Sequence, residues 1–307
     1  MGAIAELRAA RAGTARRRHH WQAYLWIAPT AIVLVALTVY PTIYMVYISF
    51  FRWSVIPTLP RDFVGFGQYQ TILRDSTFWS SVRVTLIFFV VAVSLELLLG
   101  YILATSLRTN RRSIRAVRAL FLLPTIIAPV VAGLAWKFML LLDLGIVNYL
   151  IGLVGIPKVA WLGDTTAAVI AILLIDVWQW TPFVMLILLA GMESLPTEPF
   201  EAARVDGASA WQMLRYVTLP LLLPLITVAL MFRTFDAIKT FDVVYMVTQG
   251  GPGNATSLLS YDIWKKGFFE NQLGYAAALS VLMLILVTIL ARLYFRVVGQ
   301  QLRTVEH

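Results

Sequence analysis

Six long apolar stretches constrain the fold of this chain more than any other feature of its sequence. They cover residues 24–51, 80–107, 114–140, 166–192, 217–236 and 273–298. Each is long enough to cross a bilayer, because a helix of ~20 mostly apolar residues spans the ~30 Å hydrocarbon core. Only 13% of the residues are charged, against roughly 25% in a soluble domain. The sequence therefore predicts an all-α, multi-pass membrane protein with six transmembrane helices.

The six stretches form one predicted transmembrane domain, residues 24–298, between a basic tail at 1–23 and a short tail at 299–307. The first stretch follows three arginines, Arg16 to Arg18, as the apolar part of a signal peptide would. It is too long for such a segment, and Pro41 and Tyr44 stand where a cleavage site needs small residues. We therefore expect a retained first helix.

Lysine and arginine residues are distributed unevenly between the two sides of the predicted bundle. Fifteen lie in the N-terminal tail, the 108–118 and 193–215 segments and the C-terminal end, against seven in the segments of the opposite side. The side richer in these residues is normally cytoplasmic. Both termini are therefore expected in the cytoplasm. The net charge of +9 follows this pattern and does not indicate nucleic-acid binding.

Residue types that bind metals or act as nucleophiles are scarce. The chain has no cysteine, and its three histidines, His19, His20 and His307, lie near the ends. A zinc site, thiolate chemistry or a histidine-based catalytic centre inside the membrane is therefore not expected. We expect no catalytic residue and no metal site.

Proline residues interrupt most of the predicted spans: Pro29, Pro41, Pro124, Pro129, Pro182, Pro220 and Pro224. Each frees a backbone carbonyl, which in a bilayer must be satisfied by neighbouring helices or by water. This pattern favours a bundle that encloses a polar path over a simple anchor.

The segment 193–216, on the predicted cytoplasmic side, carries signals for two short helices. Thr197 is placed to cap the first helix, with Pro199 in its first turn and Gly207 at its end. Ser209 is placed to cap a second short helix. A helix–turn–helix with small exposed residues suits docking by another protein. The physics alone fits an ordinary interfacial helix equally well.

The same segment resembles the EAA signature of importer permeases, the membrane subunits of ABC transporters. The matching residues are Glu201-Ala202-Ala203, Gly207 and Leu219-Pro220. The resemblance implies a coupling helix that docks on a separate ATPase subunit through Glu201, Ala202, Ala203, Arg204, Asp206 and Gly207. The chain has no G-x-x-x-x-G-K-[ST] loop that could hold ATP phosphates. ATP and Mg²⁺ are therefore expected on the ATPase, and no cofactor on this chain.

A second resemblance concerns the stretch after the fifth span. Its matching residues are Phe235-Asp236, Phe241-Asp242, Tyr245, Thr248, Gly250-Gly251-Pro252 and Thr256. This pattern is similar to that of carbohydrate-uptake permeases of the maltose, trehalose and glycerol-3-phosphate type. The resemblance implies the MetI-like fold of type I importer permeases and a sugar or glycerol-3-phosphate as solute. It also implies a homologous second permease subunit, two ATPase subunits and an external solute-binding protein.

Polar residues inside the predicted spans are candidates for the solute path, since their burial in a bilayer is costly. Asp176 and Gln179 share a helical face, and Trp180 lies beside them. Acid, amide and indole groups together suit a sugar, although a hydrogen bond between two helices would use the same residues.

Further candidates occupy charged or turn-forming positions. Arg233, Asp236 and Lys239 follow each other at helical spacing and predict a charge network within one helix. Glu96 stands alone in the second span, where we expect it to pair with the partner subunit. The Gly250-Gly251-Pro252 turn either shapes its own loop or faces the docked binding protein.

Two other functions compete with this interpretation. A secondary transporter would need ion-coupling acids near mid-membrane, for which Glu96 and Asp176 are available, and would not need the EAA segment. A permease of an amino-acid or peptide importer would share the EAA segment but not the Gly250-Gly251-Pro252 stretch. The sequence favours the membrane subunit of a sugar importer, without identifying the solute.

Overall fold

The computed structural model describes residues 24–54, 56, 61–108 and 112–305 of the chain. Within them, five helices are long and apolar enough to cross a membrane. Two shorter helices, bent against each other, bring the number of crossings to six if they count as one span. The predicted all-α, multi-pass architecture is therefore confirmed. The basic tail predicted at 1–23 lies outside the described residues.

The helices and strands of the described residues have the following bounds. In chain order the helices are α1 (Tyr24–Ile48), α2 (Gly67–Arg74), α3 (Ser76–Ser106), α4 (Arg112–Ile126), α5 (Pro129–Met139), α6 (Ile146–Leu153), α7 (Thr165–Ser194), α8 (Glu198–Val205), α9 (Ala210–Ala237), α10 (Asp242–Val247), α11 (Leu259–Trp264) and α12 (Leu273–Val305). π-Helical turns lie within α1 at Val35–Val39 and within α9 at Met213–Thr218, and another extends α11 over Lys265–Phe269. A short antiparallel hairpin, β1 (Phe51–Arg52) and β2 (Asp62–Phe63), precedes α2.

The third predicted span, 114–140, is broken into two helices in the structure. Its two halves, α4 and α5, meet at an angle of 96°. Pro129 at the start of α5 has no N–H to donate, and a proline disfavours helical backbone in the residue before it. Ala128 is accordingly extended, with a ψ of 133°. The chain therefore turns inside the bundle, where α5 packs against α7 and α10.

Helices α3 and α7 pack against each other and form the centre of the bundle. Gly100 of α3 permits their close approach, because a Cβ at this position would lie 2.8 Å from Cγ1 of Val184 on α7. Burial falls steeply toward the edge: 61% of the apolar window of α7 is buried in this chain, against 6% of that of α1. The surface of α1 is therefore left to lipid or to another subunit.

The fifth and sixth spans are longer than predicted. Helix α9 begins at Ala210 and not at residue 217, so the second short helix expected after Ser209 is the start of this span. Pro220 has no N–H group to donate to the preceding turn. The turn just before it is π-helical, and the helix continues through the proline. Helix α12 continues to Val305, through most of the tail predicted at 299–307.

Candidate functional site

Four of the five residues predicted along the solute path line one small cavity. It has a volume of about 70 Å³ and lies where the start of α5, the end of α9 and the start of α10 meet α7. Its walls are formed by Pro129, Asp176, Gln179, Trp180, Asp236, Lys239, Thr240, Phe241, Asp242 and Val243. Carboxylates, an ammonium group, an amide and two aromatic rings thus surround one space within the bundle.

The break between α4 and α5 is held by Gln179 of α7. Its Nε2 donates to the carbonyl of Ile127 at 2.9 Å, and Thr125 Oγ1 donates to the Gln179 carbonyl at 3.0 Å. The bend before Pro129 takes the Ile127 carbonyl out of the regular helical pattern, which explains the first bond. Gln179 Oε1 is buried and accepts no hydrogen bond from the residues that the structure describes. The amide therefore brings an unused acceptor to the cavity.

Behind the cavity, Arg233 of α9 joins three helices through their carboxylates. Its Nε and Nη2 donate to the two oxygens of Glu96 on α3, at 2.5 and 2.7 Å. Nη2 also donates to Asp176 Oδ2 on α7 at 2.8 Å, and Nη1 donates to Asp236 Oδ2 at 2.6 Å. The guanidinium lies over the Trp180 ring, 4.9 Å from its centroid. We call Glu96, Asp176, Arg233 and Asp236 the arginine cluster.

The arginine cluster corrects two predictions. Glu96 does not stand alone, because Arg233 of the same chain binds both of its oxygens. Arg233 and Asp236 do pair within α9, as predicted, but the network extends to α3 and α7, and Lys239 forms no ion pair with the described residues. The side chains of Glu96, Asp176 and Arg233 are at most 1% exposed, whereas that of Asp236 is 47% exposed. Asp236 therefore carries the cluster to the cavity surface.

Helix α8 protrudes between α7 and α9 in the segment 193–216, which we call the EAA loop. Of its signature positions, Ala203 is half-buried, and the exposed ones are Glu201, Ala202, Arg204, Asp206 and Gly207. Gly207 ends α8 as predicted, with a φ of +73°, a left-handed conformation that suits glycine. Ser209 forms a capping box with Gln212 at the start of α9. The predicted cap by the Thr197 side chain is wrong, because the backbone of Thr197 is already helical.

Arginines of the neighbouring segment hold the EAA loop from the side. Arg108 lies over the Phe200 ring of α8, 5.9 Å from its centroid. Arg118 of α4 donates to the Leu107 carbonyl at the end of α3 and forms an ion pair of 3.0 Å with Glu193 at the end of α7. The helix dipole favours a cation at the C-terminal end of a helix. The EAA loop thus contacts Arg108 through Phe200 and Arg118 through Glu193, while most of its signature residues stay exposed.

A family comparison covers both of these regions. Residues 96–304, well over half of the chain, match the family described as "Binding-protein-dependent transport system inner membrane component". The chain belongs to this family. It is therefore a permease subunit of an ABC transporter, a multi-pass membrane component and not an enzyme.

Relatives match this permease along most of its length. The probable ABC transporter permease protein y4oQ of Sinorhizobium fredii is 41% identical over 267 residues, which cover 86% of each chain. The trehalose/maltose transport system permease protein MalF of Thermococcus litoralis is 37% identical over 278 residues, 89% of this chain and 92% of the relative. A chain of the bacterial alginate ABC transporter, solved with its alginate pentasaccharide-bound periplasmic protein, has a TM-score of 0.77 at 22% identity and covers 91% of this permease and 94% of that chain. The fold is thus that of a type I importer permease, as predicted.

The Gly250-Gly251-Pro252 loop of the permease is packed against α11. Gly250 is buried with a φ of +79°, and a Cβ there would lie 2.8 Å from Cε1 of Tyr261. Thr256 Oγ1 donates to the Gly251 carbonyl at 2.7 Å. Loop geometry therefore accounts for Gly250. Contact of the half-buried Gly251 and Pro252 with a binding protein stays a prediction.

Sequence reasoning missed part of the cavity wall. Thr240 and Phe241 reach the cavity from the turn between α9 and α10, and Asp242 and Val243 from the start of α10. Phe241 and Asp242 lie in the stretch that indicated the family, but nothing in their spacing placed them opposite α7. The roles of the predicted solute-path and coupling residues stay predictions, although the fold brings Asp176, Gln179, Trp180 and Asp236 together and puts Glu96 directly behind them.

Proposed function

We propose that this permease is one half of the membrane domain of an ATP-driven sugar importer in a bacterial plasma membrane, with both termini in the cytoplasm. A homologous second permease subunit completes the solute path. Two ATPase subunits bind ATP and Mg²⁺, and an external binding protein delivers the solute. The observation that carries the proposal is the polar, aromatic-walled cavity between helices that are apolar enough to cross a membrane.

The cavity suits a sugar because it combines hydrogen-bond acceptors with aromatic rings. The half-exposed carboxylate of Asp236 can accept bonds from hydroxyl groups. The rings of Trp180 and Phe241 offer surfaces for the apolar face of a sugar ring. Its volume of about 70 Å³ is below the ~300 Å³ of a small ligand pocket, so the second subunit must supply the rest of the site. The trehalose/maltose name of the Thermococcus relative supports a disaccharide or oligosaccharide.

The EAA loop supports coupling to a separate ATPase. Helix α8 exposes the signature residues and also Val205, whose side chain is 86% exposed and available for burial by a partner. The contacts of the EAA loop with Arg108, just after α3, and with Arg118 of α4 make the loop suited to transmit a rigid-body movement of the ATPase into the bundle.

Co-purification from the native membrane tests the assembly. We expect the unchanged permease to recover an ATPase and a second permease, and Glu201→Lys or Gly207→Asp to lose the ATPase. Gly155→Asp is the matched control, because Gly155 also has a positive φ and open space around it but lies in the α6–α7 segment. If the chain purifies alone, unaffected by these changes, the importer proposal fails.

Uptake of labelled trehalose and maltose by cells that contain the whole transporter tests the solute. We expect Asp236→Ala to reduce uptake while the ATPase still co-purifies. Asp143→Ala, a change of an exposed carboxylate away from the cavity, is expected to leave uptake unchanged. Equal uptake by the two variants would show that Asp236 in the cavity is not needed for transport.

A further inference from the structure

The side chain of Arg233 is already occupied by carboxylates of this chain and is not available to bind an anionic solute. All three of its side-chain nitrogen atoms donate to carboxylates of this chain, those of Glu96, Asp176 and Asp236. The guanidinium is 1% exposed and covered on one face by the Trp180 ring. A solute in the cavity therefore meets the carboxylates that Arg233 holds, and not the arginine itself.

Carboxylates outnumber cations around the cavity. Its walls contain Asp176, Asp236 and Asp242 but one ammonium group, that of Lys239. Behind the wall, the positive charge of Arg233 is balanced by the negative charge of Glu96. The excess of carboxylates on the wall itself is therefore not compensated by this pair. Neither Asp242 nor Lys239 forms an ion pair with another residue of the described part of the chain.

Among the charged groups of the cavity wall, Asp236 and Asp242 are partly exposed and Lys239 is exposed, whereas the amide oxygen of Gln179 is buried. Gln179 Oε1 accepts no hydrogen bond from the described residues. The Asp236 carboxylate is bound by Arg233 through Oδ2, and 47% of its side chain is exposed. A cleft with an excess of charge of one sign and low-dielectric walls builds a potential of several kT, because its walls focus field lines and screen the charges less than water does. Hydroxyl groups, which donate, fit such a wall.

We propose that the solute path of this permease favours neutral, hydroxyl-rich solutes over anionic ones, with Asp236 as the specificity-determining residue. The inference rests on the proposed function, because it concerns the same cavity, and it adds the charge class of the solute. A hydroxyl group donates to the half-exposed carboxylate of Asp236. A phosphate, sulfonate or uronate group brings negative charge and further acceptor atoms to a wall that already has both in excess.

A reporter thiol measures the charge of the cavity without any sugar. Because the chain has no cysteine, Thr240→Cys places a single thiol of this subunit at the cavity wall. In the assembled transporter, the rates of modification of this subunit by a cationic and by an anionic methanethiosulfonate of similar size are compared. The reference is Val154→Cys, at a side chain that is 73% exposed in the α6–α7 segment. Phe241→Cys, which removes no charge, serves as a second position in the same cavity if Thr240→Cys does not assemble.

We expect the ratio of the cationic to the anionic rate to be about tenfold higher at position 240 than at position 154, given a potential of more than one kT. Adding Asp236→Asn should bring the ratio down toward the reference, whereas Asp143→Asn should not change it. A ratio no higher than at position 154, or no reaction with either reagent at both cavity positions, would overturn the inference. A high ratio that Asp236→Asn leaves unchanged would overturn the assignment of Asp236.

The outcome separates this inference from the proposed function. Normal uptake of trehalose or maltose together with a ratio no higher than the reference overturns the charge preference and leaves the sugar importer standing. Failure to take up either sugar together with a high ratio that depends on Asp236 overturns the proposed solute class and leaves the charge preference standing.

Discussion

The arginine cluster and the EAA loop both concentrate polar residues, but they are built in opposite ways. In the cluster, Glu96 and Arg233 lie 137 residues apart in the chain and meet at the buried centre of three helices. In the EAA loop, the bonds that shape the backbone join near neighbours, as in the capping box of Ser209 and Gln212. The cluster is closed to solvent except at Asp236, whereas most of the loop's signature residues are exposed.

This difference indicates that the two regions have different roles, one in the stability of the bundle and the other in association with another subunit. A charge that loses its partner in a buried site keeps its full desolvation cost, whereas an exposed group is solvated whether or not it is paired. We therefore expect changes in the cluster to affect the stability of the bundle. Changes in the EAA loop should mainly affect association with another subunit.

The largest effect is expected for Arg233→Met. It leaves Glu96 and Asp176 as unpaired carboxylates in the bundle and should lower the free energy of unfolding by about 3–5 kcal/mol, measured by denaturation in mixed micelles. The matched control replaces Glu96, Asp176 and Arg233 together by Leu, Leu and Met. If the triple variant is as unstable as the single one, unpaired charge is not the cause of the loss.

A smaller effect is expected for Gln179→Leu. The change removes the donor to the Ile127 carbonyl at the α4–α5 break, and we expect a loss of about 1–3 kcal/mol in the same unfolding measurement. Thr125→Val removes the reciprocal bond, from Thr125 Oγ1 to the Gln179 carbonyl, and is the comparison. A cost for Gln179→Leu no larger than for a surface substitution would mean that the break does not need this amide.

Gly207→Ala should cost roughly 1–2 kcal/mol, since a side chain is strained at a φ of +73° even though the space around it is open. Gly155→Ala has the same strain, with a φ of +79° and open space, at the opposite end of the bundle. We expect similar losses of stability for the two variants but reduced ATPase recovery for Gly207→Ala alone. Equal ATPase recovery would contradict a special role for the EAA loop.

The smallest effect is expected for the exposed ion pair of Asp143 and Lys158, whose N–O distance is 2.9 Å. With both side chains more than half exposed, Lys158→Met should change the unfolding free energy by about 0–1 kcal/mol, and less at high salt. A loss comparable to that of Arg233→Met would show that burial does not separate the two kinds of ion pair in this permease.

The features that could be predicted from the sequence depend on residues that are close to one another in the chain. The length of the apolar stretches predicted the spans, and the order of Gly207 and Ser209 predicted the end of one helix and the start of the next. The EAA and Gly-Gly-Pro stretches indicated the family. These signals act over a few residues, so the sequence carries them without reference to the rest of the fold.

Proline shows where local reasoning stopped. Pro182 and Pro129 are equally unsuited to a helix interior, yet α7 continues through Pro182 while the chain bends by 96° before Pro129. The arginine cluster and the cavity wall likewise required the packing of α3, α7 and α9. The sequence by itself determined the apolar spans, the end of α8 at Gly207, the cap at Ser209 and the family. The tertiary structure decided which span broke and which charges met, because freed carbonyls and buried charges are stabilised by partners from distant parts of the chain.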